Sequence, residues 1–198
     1  MSHYFDDNQH LKSNRKEISF RFWCFNYSFV LDNGVFSKDG IDMGTRVLLE
    51  VVSKQTLGEK ILDLGCGIGP IGIILKKIFP NSSFQMVDVN GRALLLAKEN
   101  AIRNNVDVSI YESNCYENVS DKDFSDIITN PPIRAGKAVI YEMFTKAYDH
   151  LRQDGNLWVV IRKSHGANSA KAKIESVFGN CIVVKKDKGY YILNAKKH

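Results

Sequence analysis

The chain has 198 residues, 44% of them hydrophobic, and carries a formal net charge of +5 from 27 Lys and Arg against 22 Asp and Glu. A chain of that size buries roughly 70% of its unfolded surface around one hydrophobic core, and no stretch approaches the ~20 apolar residues of a membrane-spanning helix. The basic excess is compatible with a polyanionic partner such as nucleic acid.

In chain order, residues 1 to about 16 are polar. Ile18 to Leu31 is aromatic-rich with partial alternation, which predicts a strand or hairpin, and Asn33-Gly34 supplies turn chemistry after it. Asp42 to Ser53 reads as a helix with Val47, Leu48, Val51 and Val52 on its apolar stripe. From residue 59 onward strands alternate with helices. Strands are predicted at 60–64, 84–89, 106–111, 124–129 and 155–162, and helices at 70–79, 93–103, 138–151 and 171–178. Cys181 to Lys185 and Tyr190 to Asn194, joined by Lys186-Asp187-Lys188-Gly189, read as an antiparallel hairpin. Repeated βα alternation predicts an α/β, Rossmann-like, doubly wound and mostly parallel sheet with this hairpin at its edge. Residues 1–198 are expected to form a single domain, with 1–55 a short N-terminal β extension plus helix and 56–198 the cofactor-binding catalytic core.

Cys24, Cys66, Cys115 and Cys181 are scattered, with no CxxC pair and no His at zinc-finger spacing, so reduced core thiols and no metal are expected. The charges among the first twenty residues leave no room for an apolar secretory segment, so a cytoplasmic location is expected.

The loop Asp63-Leu64-Gly65-Cys66-Gly67-Ile68-Gly69 follows the first predicted strand of the alternating region. In an open α/β sheet the ligand lies beyond the carboxyl ends of the strands, and glycines at 65, 67 and 69 let bare backbone approach it. Asp88 closes the next strand 23 residues beyond Gly65, where an acid accepts hydrogen bonds from ribose hydroxyls. The glycines fall as G-x-G-x-G rather than the dinucleotide pattern G-x-G-x-x-G, and no Gly-Lys-Ser/Thr follows. Asp63 suits a sulfonium and an amino-acid end better than a pyrophosphate, which favours S-adenosylmethionine. Asn114, after the third strand of this region, has an amide suited to the adenine edge or to capping a turn.

Further on, Asn130-Pro131-Pro132-Ile133 ends the 124–129 strand. An exocyclic amine is a poor nucleophile because its lone pair is delocalised into the ring. Two acceptors aimed at its two N–H bonds favour the reactive pyramidal form, and the Asn130 side-chain carbonyl and Pro131 backbone carbonyl are the candidates, with Pro131 and Pro132 restricting φ. The other reading of Asn-Pro-Pro is a strand-terminating turn.

These motifs resemble those of class I S-adenosylmethionine-dependent methyltransferases, with Asp63, Gly65, Gly67, Gly69, Asp88 and the Asn130-Pro131-Pro132-Ile133 run matching in order and spacing. Gly34-Val35-Phe36-Ser37-Lys38, Asp42-Met43-Gly44-Thr45 and the continuation Arg134-Ala135-Gly136-Lys137 resemble the small-domain methyltransferases that modify guanine N2 in small-subunit ribosomal RNA. The resemblance covers roughly residues 3 to 196 and implies a seven-stranded sheet whose last strand runs antiparallel. It implies Asn130, Pro131 and Pro132 as catalytic, and Asp63, Gly65, Cys66, Gly67, Gly69, Asp88, Val89, Asn114 and Asn130 as cofactor-binding. Phe36, Ile133, Arg134 and Lys137 are expected to bind substrate, the two cations by holding RNA phosphates; Phe36, Asp42 and Thr45 are placed over the methionine end of the cofactor. For Asp42 a helix N-cap is at least an equal expectation. Ribosomal RNA or the small subunit is the implied partner, for a monomer or homodimer. Protein glutamine methylation, adenine N6 methylation and a non-catalytic RNA-binding assembly role are the alternatives.

Overall fold

The protein is described by a computed structural model covering residues 13–33, 35 and 40–198. Gly34 and Phe36, and with them most of the Gly34 to Lys38 motif, lie outside the described residues.

The aromatic stretch forms a hairpin, β1 (Lys16–Phe22) and β2 (Phe25–Leu31), turning at Trp23-Cys24 and separate from the main sheet. Helix α1 (Met43–Val52) follows, capped by the Asp42 side chain accepting from Thr45 N. Then come β3 (Lys60–Leu64), α2 (Pro70–Ile78), β4 (Ser83–Asp88), α3 (Gly91–Arg103), β5 (Ser109–Glu112), β6 (Phe124–Thr129), α4 (Lys137–His150), β7 (Leu151–Arg162), α5 (Ala167–Phe178), β8 (Ile182–Asp187) and β9 (Tyr190–Lys196). The seven-stranded sheet has the order β5-β4-β3-β6-β7-β9-β8, and β9 runs antiparallel to both its neighbours while the other pairings are parallel.

Central strands of such a sheet are buried on both faces, and alternate residues separate into two cores. Ile61, Ile128, Val160 and Ile192 face α1, α2 and α3; Leu62, Ile127, Val159 and Leu193 face α4 and α5. Glycine permits the closest approach on the first face, where a Cβ on Gly72 would lie 2.5 Å from Met86 Sδ.

The hairpin is fixed to this frame by two asparagines four residues apart, Asn100 on α3 and Asn104 at its C-terminal cap. Asn100 Oδ1 accepts from Val30 N at 2.7 Å while its Nδ2 donates to Val30 O and to Ile68 O, and Asn104 Oδ1 accepts from Ser28 N at 3.1 Å while its Nδ2 donates to Ser28 O at 2.8 Å. The side-chain amides thus satisfy the backbone groups of the outward edge of β2, and Asn100 ties that edge to the glycine loop. Ion pairs Arg92–Asp32 at 2.7 Å, Arg103–Glu17 at 3.1 Å and Arg15–Glu99 surround this contact.

Several boundaries depart from the sequence reading. Strand β5 starts at Ser109 instead of 106, because Asn105 turns into left-handed backbone (φ 53°) and Val106 N still bonds the helical carbonyl of Ala101. Strand β7 begins at Leu151, directly after α4, with a bulge between the pairings Phe124↔Leu151 and Asp126↔Asn156. Helix α5 starts at Ala167, four residues early, from Gly166 at φ 91° with no side-chain cap. Of the cysteines read as core thiols, Cys66 and Cys181 are buried, Cys115 is partly buried and Cys24 is exposed in the hairpin turn. No helix among the described residues is long and apolar enough to cross a membrane.

Candidate active site

The carboxyl ends of β3, β4 and β6 build the site. Beyond β3 the chain turns sharply: Gly65, Gly67 and Gly69 have φ of 76°, 56° and 91°, a region that suits glycine. The turn is fastened from behind, with Gly65 N and Cys66 N both bonding Val87 O and Gly69 N bonding Cys66 O. Added Cβ atoms separate the roles of Gly69 and Gly67. On Gly69 one would lie 2.8 Å from Met86 Cε, so that residue packs inward. On Gly67 one would meet nothing within 4 Å, so its backbone borders open space. Cys66 buries its side chain in the core, where its thiol donates to Gly67 O at 3.6 Å.

The two acids serve this loop in different ways. Asp63 is fully buried, its Oδ2 accepts from Gly72 N at 2.9 Å, and its Oδ1 has no partner among the described residues. Burial, with a smaller contribution from Asp88, pushes its carboxyl up to about 7. Asp88 is half-buried at the end of β4, and its Oδ2 accepts from Gly67 N at 2.8 Å and its Oδ1 from Asn90 N at 2.9 Å. Burial raises its carboxyl as well, against the opposing pull of those backbone amides. Val89 follows on the rim. Across from it, Ser113 N bonds Asp88 O, and Asn114 caps a local turn with its Nδ2 on Glu117 Oε1 at 2.9 Å.

Asn130 stands at the end of β6, held in depth by Thr129 Oγ1 donating to Leu64 O at 2.7 Å. Its Nδ2 donates to Thr45 Oγ1 at 3.0 Å and toward the Asp42 carboxylate at 3.2 and 3.4 Å. Pro131 is buried and Pro132 half-buried, and the Pro132 carbonyl accepts from Ala135 N at 2.9 Å. Among the described residues, Asn130 Oδ1 and the Pro131 carbonyl accept no hydrogen bond. Ile133 opens a single 3-10 turn and packs partly onto the α4 side of the core.

The rim is divided by charge. Its β4–β5 side carries Asp88, Glu112 and Glu117. On the β6–β7–β9 side, Arg134 follows β6, Lys137 starts α4, Arg162 ends β7 and Lys163 follows it. Lys188 sits in the β8–β9 turn, joined to the last two by the pairing Arg162↔Tyr190 and by Lys163 N on Gly189 O at 2.8 Å. All five are exposed, and among the described residues none reaches a carboxylate; Lys137 lies 5.0 Å from the Tyr141 ring centroid. Elsewhere Lys60, Lys146, Lys171, Lys185 and Lys196 are all in ion pairs.

The fold thus brings the glycine loop, Asp88 and Asn130 together at one rim, with Arg134 and Lys137 beside them. Sequence reasoning missed Thr129, Gly72, Asn100 and the Arg162-Lys163 pair. A buried Thr at the end of β6 and polar residues one turn apart on an amphipathic helix were the available signals.

This strand order, with one reversed strand and with a glycine loop, an acid and an Asn-Pro-Pro end on successive strands, defines a class I methyltransferase, whose cofactor is S-adenosylmethionine. The chain belongs to the methyltransferase small domain family, whose profile matches residues 26–194. It is 45% identical over 197 residues to the uncharacterized protein YbxB of Bacillus subtilis, covering 98% of both chains. It is 30% identical over 171 residues to ribosomal RNA small subunit methyltransferase C of Vibrio cholerae, covering 83% of this chain and 48% of that protein. Among solved structures, the T. thermophilus 16S rRNA N2 guanine methyltransferase RsmC, in complex with AdoMet and guanosine, matches with a TM-score of 0.84 and 25% identity, over 95% of this chain and 52% of that one. A methyltransferase from Pyrococcus furiosus matches in fold with a TM-score of 0.66 at 22% identity, over 77% of this chain and 80% of that one. The chain spans about half the length of the V. cholerae and T. thermophilus proteins.

Proposed function

We propose that the protein methylates the exocyclic N2 amine of a guanine in small-subunit ribosomal RNA, using S-adenosylmethionine. The observation that carries this reading is the pair of acceptors at the end of β6, Asn130 Oδ1 and the Pro131 carbonyl, neither engaged by the described residues. Two acceptors match an amine with two N–H bonds. The rRNA methyltransferase relatives and the cations beside Asn130, which reach no carboxylate among the described residues, support the choice of RNA.

The site fits the cofactor. The loop backbone at Gly67 borders open space, and the half-exposed Asp88 carboxylate keeps lone pairs for ribose hydroxyls. The orphaned Asp63 Oδ1 lies beneath the loop, where a cationic ligand above it offsets a buried negative charge. Gly65, Cys66, Gly67 and Gly69 would hold the cofactor through backbone, Asp88 the ribose, and Val89 with Asn114 the adenine side. Bound there, S-adenosylmethionine supplies an electrophilic methyl group.

The chain's own contribution is orientation. Asn130 Oδ1 and the Pro131 carbonyl draw the amine N–H bonds toward themselves and turn the lone pair out of the ring plane, and fixing the nitrogen supplies rate through proximity. Nitrogen becomes acidic once methylated, so the proton leaves to solvent and no general base is assigned. Ile133 gives the base an apolar face without aromatic stacking, and Arg134 and Lys137 take flanking phosphates.

The test is to incubate small subunits from a strain lacking the enzyme with labelled S-adenosylmethionine and map the label. A label on one guanine N2, absent with Asn130→Ala although that variant still binds cofactor, is the expected result. A label on protein or on an adenine overturns the assignment.

A further inference from the structure

The segment Asp42-Met43-Gly44-Thr45 sits at the start of α1, far from the glycine loop in sequence, yet its side chains end on Asn130. We propose that Asp42 and Thr45 are positioning residues that fix the Asn130 amide so that its carbonyl oxygen, and not its NH2, faces the substrate. The inference rests on the function proposed above and extends it.

The argument is one of donors and acceptors. An ionised carboxylate only accepts, so the Asn130 atom 3.2 and 3.4 Å from the Asp42 oxygens has to be the amide nitrogen. Thr45 Oγ1, 3.0 Å from the same atom, takes its second hydrogen. With both N–H bonds used, Oδ1 is left on the opposite side. A flipped amide would present two donors to a substrate amine that is itself a donor, which repels where catalysis needs acceptance.

The rest of the segment secures the clamp. Asp42 Oδ1 also accepts from Thr45 N at 3.1 Å, so the carboxylate caps α1 while it holds Asn130. Residue 44 has to be small, because a Cβ there would lie 2.9 Å from Tyr190 Cε1 and 3.1 Å from Asp42 Oδ1. The start of α1 is thereby pressed against β9, and the clamp is built from the frame rather than from a loop.

Asp42→Asn is the sharpest test. Asn caps helices as well as Asp does, so α1 survives. Its side-chain carbonyl is committed to Thr45 N, and the NH2 it then turns toward Asn130 favours the flipped amide. Expected in Asp42→Asn are a kcat on the order of 10- to 100-fold lower and a cofactor Kd, by calorimetry, within about twofold of the wild type. Thr45→Val lowers kcat in the same direction and Thr45→Ser restores it. An unchanged kcat in Asp42→Asn overturns the proposal, and so does a cofactor Kd weakened by the same factor as kcat/KM, which would make Asp42 a cofactor ligand. A second measurement needs no substrate: in 15N-labelled protein the Asn130 side-chain amide protons exchange slowly in the wild type and on the order of tenfold faster in Asp42→Asn. Equal exchange overturns the clamp. If wild-type protein methylates no subunit at all, the functional reading fails and the exchange experiment alone decides the clamp.

Discussion

Replacing Arg162 and Lys163 together by Ala tests whether the basic side of the rim carries RNA. Five cations, Arg134, Lys137, Arg162, Lys163 and Lys188, stand there without carboxylate partners among the described residues. If each neutralises one phosphate, log K falls with log salt at a slope of about −3.5 for single strands and about −4.5 for duplex. Raising salt from ~50 to ~200 mM then weakens wild-type binding roughly 130- to 500-fold, and the double variant, with two contacts fewer, only roughly 20- to 40-fold. The assay is fluorescence anisotropy of a labelled small-subunit RNA fragment titrated at several KCl concentrations. Lys122→Ala serves as the control, because Lys122 is exposed and carries no ion pair among the described residues but precedes β6, at the opposite end of the sheet. A slope unchanged in Arg162→Ala/Lys163→Ala, or reduced equally in Lys122→Ala, would refute the assignment of this rim.

Four other outcomes follow from the geometry. Gly72→Ala forces a Cβ to within 2.5 Å of Met86 Sδ and should destabilise the fold by about 1–3 kcal/mol. Gly67→Ala meets open space and should lose about 1–2 kcal/mol for its left-handed backbone while weakening cofactor binding more than stability; a cofactor Kd weakened no more than in Gly72→Ala would contradict the division of roles. Asp63 holds its proton more tightly when folded, with its carboxyl at about 7 against 3.8 unfolded. Its contribution to stability is therefore fully present below pH ~4 and declines by about 4 kcal/mol as pH rises to ~7. Denaturant melts of cofactor-free protein should show that decline flattened in Asp63→Asn, and parallel curves would count against a protonated Asp63. Asn100→Ala orphans Val30 N, Val30 O and Ile68 O and should cost on the order of 3 kcal/mol, with hydrogen exchange in β2 rising more than in β7; uniform exchange would mean that Asn100 does not tether the hairpin.

Much of the fold was legible because parallel strands buried on both faces leave short apolar runs that alternate with amphipathic helices, as in 60–64 with 70–78. The glycine loop, Asp88 and Asn130 were legible because their spacing reflects local needs of backbone approach and strand termination. The remainder depends on partners distant in sequence. Asn104 directly follows the helix predicted at 93–103, and nothing nearby reveals that it and Asn100 face the edge of β2. Asp63 read as a residue facing the cofactor, whereas its Oδ2 is spent on Gly72 N under the loop, a contact set by how α2 docks. Arg162 and Lys163 adjoin Lys188 only because β9 folds back between β7 and β8. The uncapped start of α5 at Gly166 carries no side-chain signal.

The asparagine pair on α3 also bears on how the protein behaves in a crowded solution. A two-stranded ribbon normally presents unpaired amide and carbonyl groups that invite a foreign chain to add on, the first step toward fibrous aggregates. At Ser28 and Val30 those groups are already engaged by Asn100 and Asn104, so that border of the ribbon is closed to recruitment, and self-association by strand addition there would first have to pull the helix away.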